Sequence, residues 1–266
     1  MDFKQHVPLG RTGLMVSRLG IASGYGVPAT AMEKAFHEHN VNYFYLSPIL
    51  FQGRMRKALR SLAPRHRDKM VIVLAKPVGK GFLLRSFVER WLRKLNIDQA
   101  DLVLLQDVRK ETPLLFERAL KLKEEGKVRF VGMSSHERPL FGQIARGEVD
   151  LPVDVFQLRY NAVHRGAEQD IFPFLPEQNR PGIVNFTATC WRKLLNAKKM
   201  PAGERPLSGT ECYRFVLSNP NVDVCLTGPS SAERLEQNLE ALEDGPLSEE
   251  EMERIVKIGD HIHRPK

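Results

Sequence analysis

Two groups of residues in this 266-residue chain have the types and spacing to do chemistry. The first is Gly228-Pro229-Ser230-Ser231, which leads from a short apolar run into a helical pattern with Arg234 one turn in. Free backbone N–H groups at a helix N-terminus attract a phosphate. Ser230 and Ser231 add hydroxyl donors, and Arg234 adds a charged fork. The same residues also read as an ordinary capped helix with a solvated arginine, because serine is a common N-cap. The second group is Tyr45 and Lys76, which end two successive apolar runs. A lysine at the end of an apolar strand is rarely buried without a partner. If those strands are neighbours, the two side chains face each other and the ammonium lowers the tyrosine's pKa. The plainer reading makes Tyr45 a packed strand aromatic. Asp107 is a further candidate partner for Lys76. His164 and Arg165 have the chemistry to hold an anionic substrate or a phosphate, and equally to serve as loop hydrogen-bonders. His136 and His164 lack a third ligand at suitable spacing, so no metal is expected. Cys190, Cys212 and Cys225 form no paired spacing and read as packed residues in a reducing compartment.

These side chains need elements to position them. Short apolar runs alternate with helical patterns along most of the chain. The spacing predicts strands at Leu19–Ala22, Val41–Tyr45, Val71–Ala75, Leu102–Leu105, Val128–Gly132, Val153–Leu158, Gly182–Phe186 and Val222–Leu226. Each is followed by a predicted helix: Thr30–His39 with Thr30 as N-cap, Gly53–Leu62, Leu83–Leu95, Pro113–Glu125, Pro139–Arg146, Ala167–Gln178, Gly209–Leu217 and Ala232–Leu242. Nearly continuous apolar strands are those of a parallel sheet covered on both faces. Eight strand–helix units in about 250 residues predict a (β/α)8 TIM barrel. A doubly wound sheet would carry a G-x-G-x-x-G turn, and none occurs. An N-terminal β-hairpin, His6–Leu9 with Leu14–Arg18, precedes the barrel. An extra C-terminal helix follows it, opened by Ser248-Glu249-Glu250-Glu251 in capping-box form. The connection Thr187–Ser208 is long, which marks it as functional at the barrel's C-terminal face.

Hydrophobic residues make up 42% and charged residues 27%, which fits one large globular domain. No apolar run reaches the roughly 20 residues of a membrane span, and the N-terminus lacks a signal-peptide core. A cytoplasmic protein is expected. The net charge of +8 is densest at Arg54, Arg56, Lys57, Arg60, Arg65, Arg67 and Lys69. With no nucleic-acid recognition motif, that run reads as a solvated helix face. No nucleic-acid or membrane partner is expected, and oligomeric state is not readable.

Four segments, in order, resemble the aldo-keto reductase family: Pro8–Ser17, like its opening hairpin; Gly126–Ser134, like its fifth strand; Val155–Asn161, like its sixth; and Thr227–Leu239, like its cofactor-phosphate segment. Thr210–Phe215 and Asn161–Glu168 are similar to a bacterial branch of that family. The resemblance implies NADP(H) bound across the barrel mouth, with Gly228, Ser230, Ser231 and Arg234 at the 2′-phosphate and Gln237 and Asn238 toward adenine. It implies Ser134 and Gln157 on the nicotinamide amide and Phe186 stacked on its ring. Ser135 replaces the family's usual asparagine.

The family's reaction pairs hydride transfer to a carbonyl with proton donation from a tyrosine, assisted by a lysine, an aspartate and a histidine. Only Lys76 matches. Tyr45 stands at the aspartate position, Leu50 and Phe51 where the tyrosine belongs, and Gln106 at the histidine position. The leading expectation is an NADP(H)-dependent oxidoreductase that reduces an unknown small-molecule carbonyl, with Tyr45 as proton donor, Lys76 beside it and Gln106 as orienter. The alternatives are a catalytically inactive nucleotide-binding barrel that senses nucleotide or binds a partner, and a barrel that uses Lys76 in a Schiff base.

Overall fold

The computed structural model describes residues 1–47, 52–77, 83–109 and 113–263. A two-stranded antiparallel hairpin, β1 (Val7–Pro8) and β2 (Met15–Val16), opens the chain. Eight parallel strands follow: β3 (Leu19–Ala22), β4 (Tyr43–Leu46), β5 (Val71–Pro77), β6 (Ala100–Gln106), β7 (Val128–Ser134), β8 (Val155–Arg159), β9 (Gly182–Phe186) and β10 (Val224–Thr227). They close in chain order into a barrel, with β10 pairing β3. The barrel, the hairpin and the C-terminal helix all match the sequence expectation.

The helices α1 (Ala29–His39), α2 (Gly53–His66), α3 (Leu84–Leu95), α4 (Pro113–Glu124), α5 (Arg138–Ala145), α6 (Ala167–Asp170), α7 (Gly209–Leu217) and α8 (Ala232–Asp244) surround it, and α9 (Glu249–His263) follows. Three differ from expectation, the first being α2, which runs four residues beyond the expected Leu62 to His66. Pro28, not Thr30, is the N-cap of α1, and its fixed φ of −63° leads directly into the helix. The helix expected to run to Gln178 stops at Asp170 and gives way to a single 3-10 turn, Phe172–Phe174. Pro173 lacks an N–H and disfavours a helical Ile171 and Phe172 before it, so the α-helix cannot pass. The capping box of α9 forms as the sequence suggests: Glu251 N–H donates to Ser248 Oγ, and Ser248 N–H donates to Glu251 Oε2. None of the described helices is long and apolar enough to cross a membrane.

Alternation divides each strand between two cores. Outward residues such as Phe44, Ile72, Leu74, Val103, Leu105 and Ile183 meet the helices. Inward residues such as Tyr43, Val71, Val73, Leu102, Leu104, Val155, Val184 and Val224 fill the barrel. The hairpin plugs the lower end by adding Leu9, Leu14 and Val16 to the inner core. Gly20 leaves room for Tyr43: a Cβ at position 20 would lie 2.7 Å from the Tyr43 ring.

At the foot of every second strand a side chain reaches back to the preceding strand or, for Asn42, to the turn that leads into it. Asn42 Oδ1 accepts from Ser17 N–H at 2.9 Å, Asp101 Oδ2 from Ile72 N–H at 2.9 Å, Asp154 Oδ2 from Val131 N–H at 2.9 Å, and Asp223 Oδ2 from Ile183 N–H at 2.8 Å. The three aspartates also hold cations: Arg67 and Arg129 on Asp101, Lys123 on Asp154, and Arg180 in a bidentate pair on Asp223. Losing one partner of a buried ion pair costs about 3–5 kcal/mol. Asp223→Ala is therefore expected to lower the thermal midpoint by roughly 6–20 °C, at about 2–4 °C per kcal/mol for a chain of this size. Asp223→Asn, which retains a side-chain acceptor, is expected to lose distinctly less in the same melt.

Candidate active site

The inward face of several strands changes from apolar to polar at its last inward residue. Tyr45 is the last inward residue of β4, one before its end at Leu46, Gln106 ends β6, Ser134 ends β7 and Gln157 lies near the end of β8, with the ring of Phe186 ending β9. These five form the floor of a cleft of about 1000 Å³ at the C-terminal face of the barrel. The segment entering α8 and the first two turns of that helix form one end, where Gly228, Ser230, Arg234, Gln237 and Asn238 line the wall. Ten of the fourteen residues proposed from sequence thus share one cavity.

At the centre of the floor, Gln106 Nε2 donates to the Tyr45 hydroxyl at 2.5 Å. Burial pushes the Tyr45 pKa up to about 12, while the amides of Gln157 and Gln106 against its oxygen act in the opposite direction. The expected fall in this pKa beside Lys76 is corrected by strand parity. Lys76 pairs with Leu105 and alternates with Ile72 and Leu74, so it leaves the barrel on the helix side. Its Nζ sits over the Phe87 ring of α3, 5.9 Å from the centroid. Lys76 therefore does not face Tyr45. Nor does Asp107 pair with it, since Asp107 stands at the cleft rim with a left-handed φ of 59°.

Gln157 Oε1 is buried and has no hydrogen-bond partner among the described residues. An orphan acceptor on a cleft floor is matched by a ligand donor such as a primary amide. Ser135 turns away instead: its hydroxyl donates to Val108 C=O at 2.7 Å and accepts from Glu137 N–H. At the α8 end, Ser231 is the N-cap and accepts from Arg234 N–H, so its hydroxyl is committed to the helix. Asn238 Nδ2 donates to Thr227 Oγ1 at 2.8 Å, and Thr227 shares a second hydrogen bond with Tyr213. That chain stiffens the wall.

His164 and Arg165 are not among the cleft residues. Arg165 pairs with Asp260 of α9 at 2.6 Å. The His164 ring meets Trp191 and His263 edge-on, and burial, then Arg159, lowers its pKa to about 4. Leu50 and Phe51 lie outside the described residues. All three cysteines are buried, and burial raises their thiol pKa values, which suits packing rather than nucleophilic chemistry.

Sequence reasoning missed Tyr25, whose ring fills the space that a side chain at Gly228 would need. The signal was present, because Gly24-Tyr25-Gly26 presents an aromatic between two positive-φ glycines directly after the first barrel strand. Trp191 and Arg192 also line the cleft, from the long connection already marked as functional. There Cys190, Trp191 and Arg192 hold successive φ values of 50°, 50° and 66°. Each such residue costs about 1–2 kcal/mol, and strain of this kind clusters at ligand clamps. Buried Cys190 and Leu194 anchor the segment, and Cys190 N–H donates to Thr187 C=O.

The aldo/keto reductase family model matches residues 28–196 and 207–260. The chain is 22% identical to L-galactose dehydrogenase of Arabidopsis thaliana, covering 94% of this chain and 92% of that protein. It also superposes on aldo-keto reductase AKR11C1 from Bacillus halodurans. The apo form gives a TM-score of 0.77 at 21% identity, over 96% of this chain and 95% of that one. The holo form gives 0.75 at 21% identity, over 96% of each. The chain belongs to the aldo/keto reductase family, a family of oxidoreductases.

Tyr43, Tyr45, Tyr160 and Tyr213 all have pKa values raised by burial. In the unfolded chain each ionises near 10. Above that pH the native state binds more protons than the unfolded one, so stability falls as pH rises from about 10 through 12. Urea melts between pH 8 and 11.5 are expected to show a progressive loss, smaller in Tyr45→Phe.

Proposed function

We propose that the protein is an NADP(H)-dependent oxidoreductase acting on a small carbonyl compound, with Tyr45 as its proton donor. The observation that carries this reading is the Tyr45 hydroxyl on the cleft floor, with the Gln106 amide donating to its oxygen. A hydroxyl oxygen occupied by a donor leaves its own proton for a group above it. The cofactor, when bound, would supply hydride. Gln157, whose Oε1 has no partner among the described residues, and Ser134 would hold the carboxamide, and Phe186 would lie against the ring. Arg234 and the N–H groups opening α8 would hold the 2′-phosphate, with Ser230 beside them. In this site Gln106 and Gln157 take over the support expected from Lys76, by hydrogen bonding rather than by charge. A cytoplasmic location fits this reading.

One observation favours a second reading. Burial holds the Tyr45 pKa well above the usual tyrosine value, which makes it a weak acid for catalysis. A barrel that binds the nucleotide without turnover has the same cleft and needs no acid.

Fluorescence titration with NADPH separates the readings when followed by assays on a panel of carbonyl compounds. Arg234→Ala is expected to weaken NADPH binding by about tenfold or more, because charge-assisted hydrogen bonds contribute about 1.5–3 kcal/mol, and to leave NADH binding nearly unchanged. Tyr45→Phe is expected to lower kcat by about 100-fold or more with cofactor affinity intact. Tight binding with no turnover on any carbonyl selects the second reading. Absence of NADPH binding overturns both.

A further inference from the structure

The positive charge of this protein is segregated. Between Gly53 and Asn96 there are 13 Lys and Arg against 2 Asp and Glu, so this stretch carries a larger surplus than the +8 of the whole chain. The structure gathers most of it on two neighbouring helices. α2 exposes Arg54, Arg56, Lys57, Arg60 and Arg65 and carries no acidic residue. α3 exposes Arg90, Arg93 and Lys94. Its single acid, Glu89, is held by Arg85 on the side toward Glu125. Arg60 reaches across the seam to donate to Lys94 C=O at 3.4 Å, so the two helices present one continuous surface. None of these eight cations makes an ion pair among the described residues, whereas eighteen ion pairs form elsewhere.

Against the sequence expectation of a merely solvated face with no nucleic-acid partner, we infer from this placement that the α2–α3 face binds the phosphodiester backbone of a nucleic acid, without reading its sequence. Three features set the partner's chemistry. Six of the eight cations are arginines, whose guanidinium forks match phosphate oxygens. Neither helix exposes a large apolar or aromatic side chain among the described residues. That leaves no platform for stacking unpaired bases, no apolar anchor for a bilayer and no aromatic centre for a protein interface. The dimensions also agree: the 14 residues of α2 span about 21 Å, along which each strand of a duplex presents roughly six phosphates. Apart from Arg54, whose guanidinium lies near Gly26 beside Ser230 at the phosphate end of the cleft, the face lies outside the cleft, so the inference does not depend on the oxidoreductase reading.

The test is fluorescence anisotropy of a labelled, scrambled 20-base-pair DNA duplex with the full chain, from 50 to 200 mM salt. Micromolar binding is expected, with a log–log salt slope of about −4 to −5 for five contacted phosphates. The variant Arg56→Gln/Lys57→Gln/Arg90→Gln/Arg93→Gln leaves Arg60 in its bond to Lys94 and is expected to melt like the wild type. It should bind at least tenfold more weakly, with a slope shallower by about 3 to 4. A second duplex of unrelated sequence is expected to bind equally. The inference is overturned by no anisotropy change at 50 mM salt, or by unchanged binding in the variant. It is also overturned if polyglutamate of equal charge displaces the protein as well as unlabelled duplex does. Phosphatidylserine vesicles retaining the protein through these residues while the duplex does not would have the same effect.

Discussion

The barrel depends on what happens at the feet of its even strands. A closed parallel sheet has no free edge, but its lower rim still presents backbone donors where each strand begins. Asn42, Asp101, Asp154 and Asp223 satisfy one such donor each, the aspartates on the strand before their own and Asn42 on Ser17, in the turn that leads into β3. This ties successive strands together in a fixed stagger. A shift of one residue would break the hydrogen bond and turn every inward side chain outward. The cations on the aspartates, drawn from neighbouring strands, helices and loops, neutralise charges that would otherwise be costly to bury.

The stagger is what places the floor of the cleft. Tyr45, Gln106, Ser134, Gln157 and Phe186 come from five strands, yet they meet because each is the last or near-last inward residue of its own. The same parity sends Lys76 outward. A single position along β5 separates a lysine that could have met Tyr45 from one that lies over Phe87. The charge expected at the centre of the site is replaced by two neutral amides, and the tyrosine is tuned by burial and hydrogen bonding instead.

Most of the architecture was legible in the sequence because parallel strands and amphipathic helices carry strong periodic signals. The errors fell where proline chemistry outweighed periodicity, as at Pro28 and Pro173. The cleft was legible from residue types at strand ends and from the serine–arginine pattern opening α8. Side-chain direction at the end of β5 was not, because position within a run does not reveal the inward face until the neighbouring register is known. His164 and Arg165 were misplaced for a related reason. Their loop is drawn toward α9 by the Arg165–Asp260 pair, a contact 95 residues away in sequence.

The left-handed run Cys190–Arg192 inverts the usual ranking of substitutions. At most ordered positions glycine is among the worst replacements, because it adds freedom to the unfolded chain. At Trp191 and Arg192 the native backbone already occupies the region glycine tolerates best. Selection for stability alone would therefore favour glycine or asparagine there. A large aromatic and a cation stand there instead and line the cleft, so a library screened separately for folding and for ligand binding should rank these two sites in opposite orders.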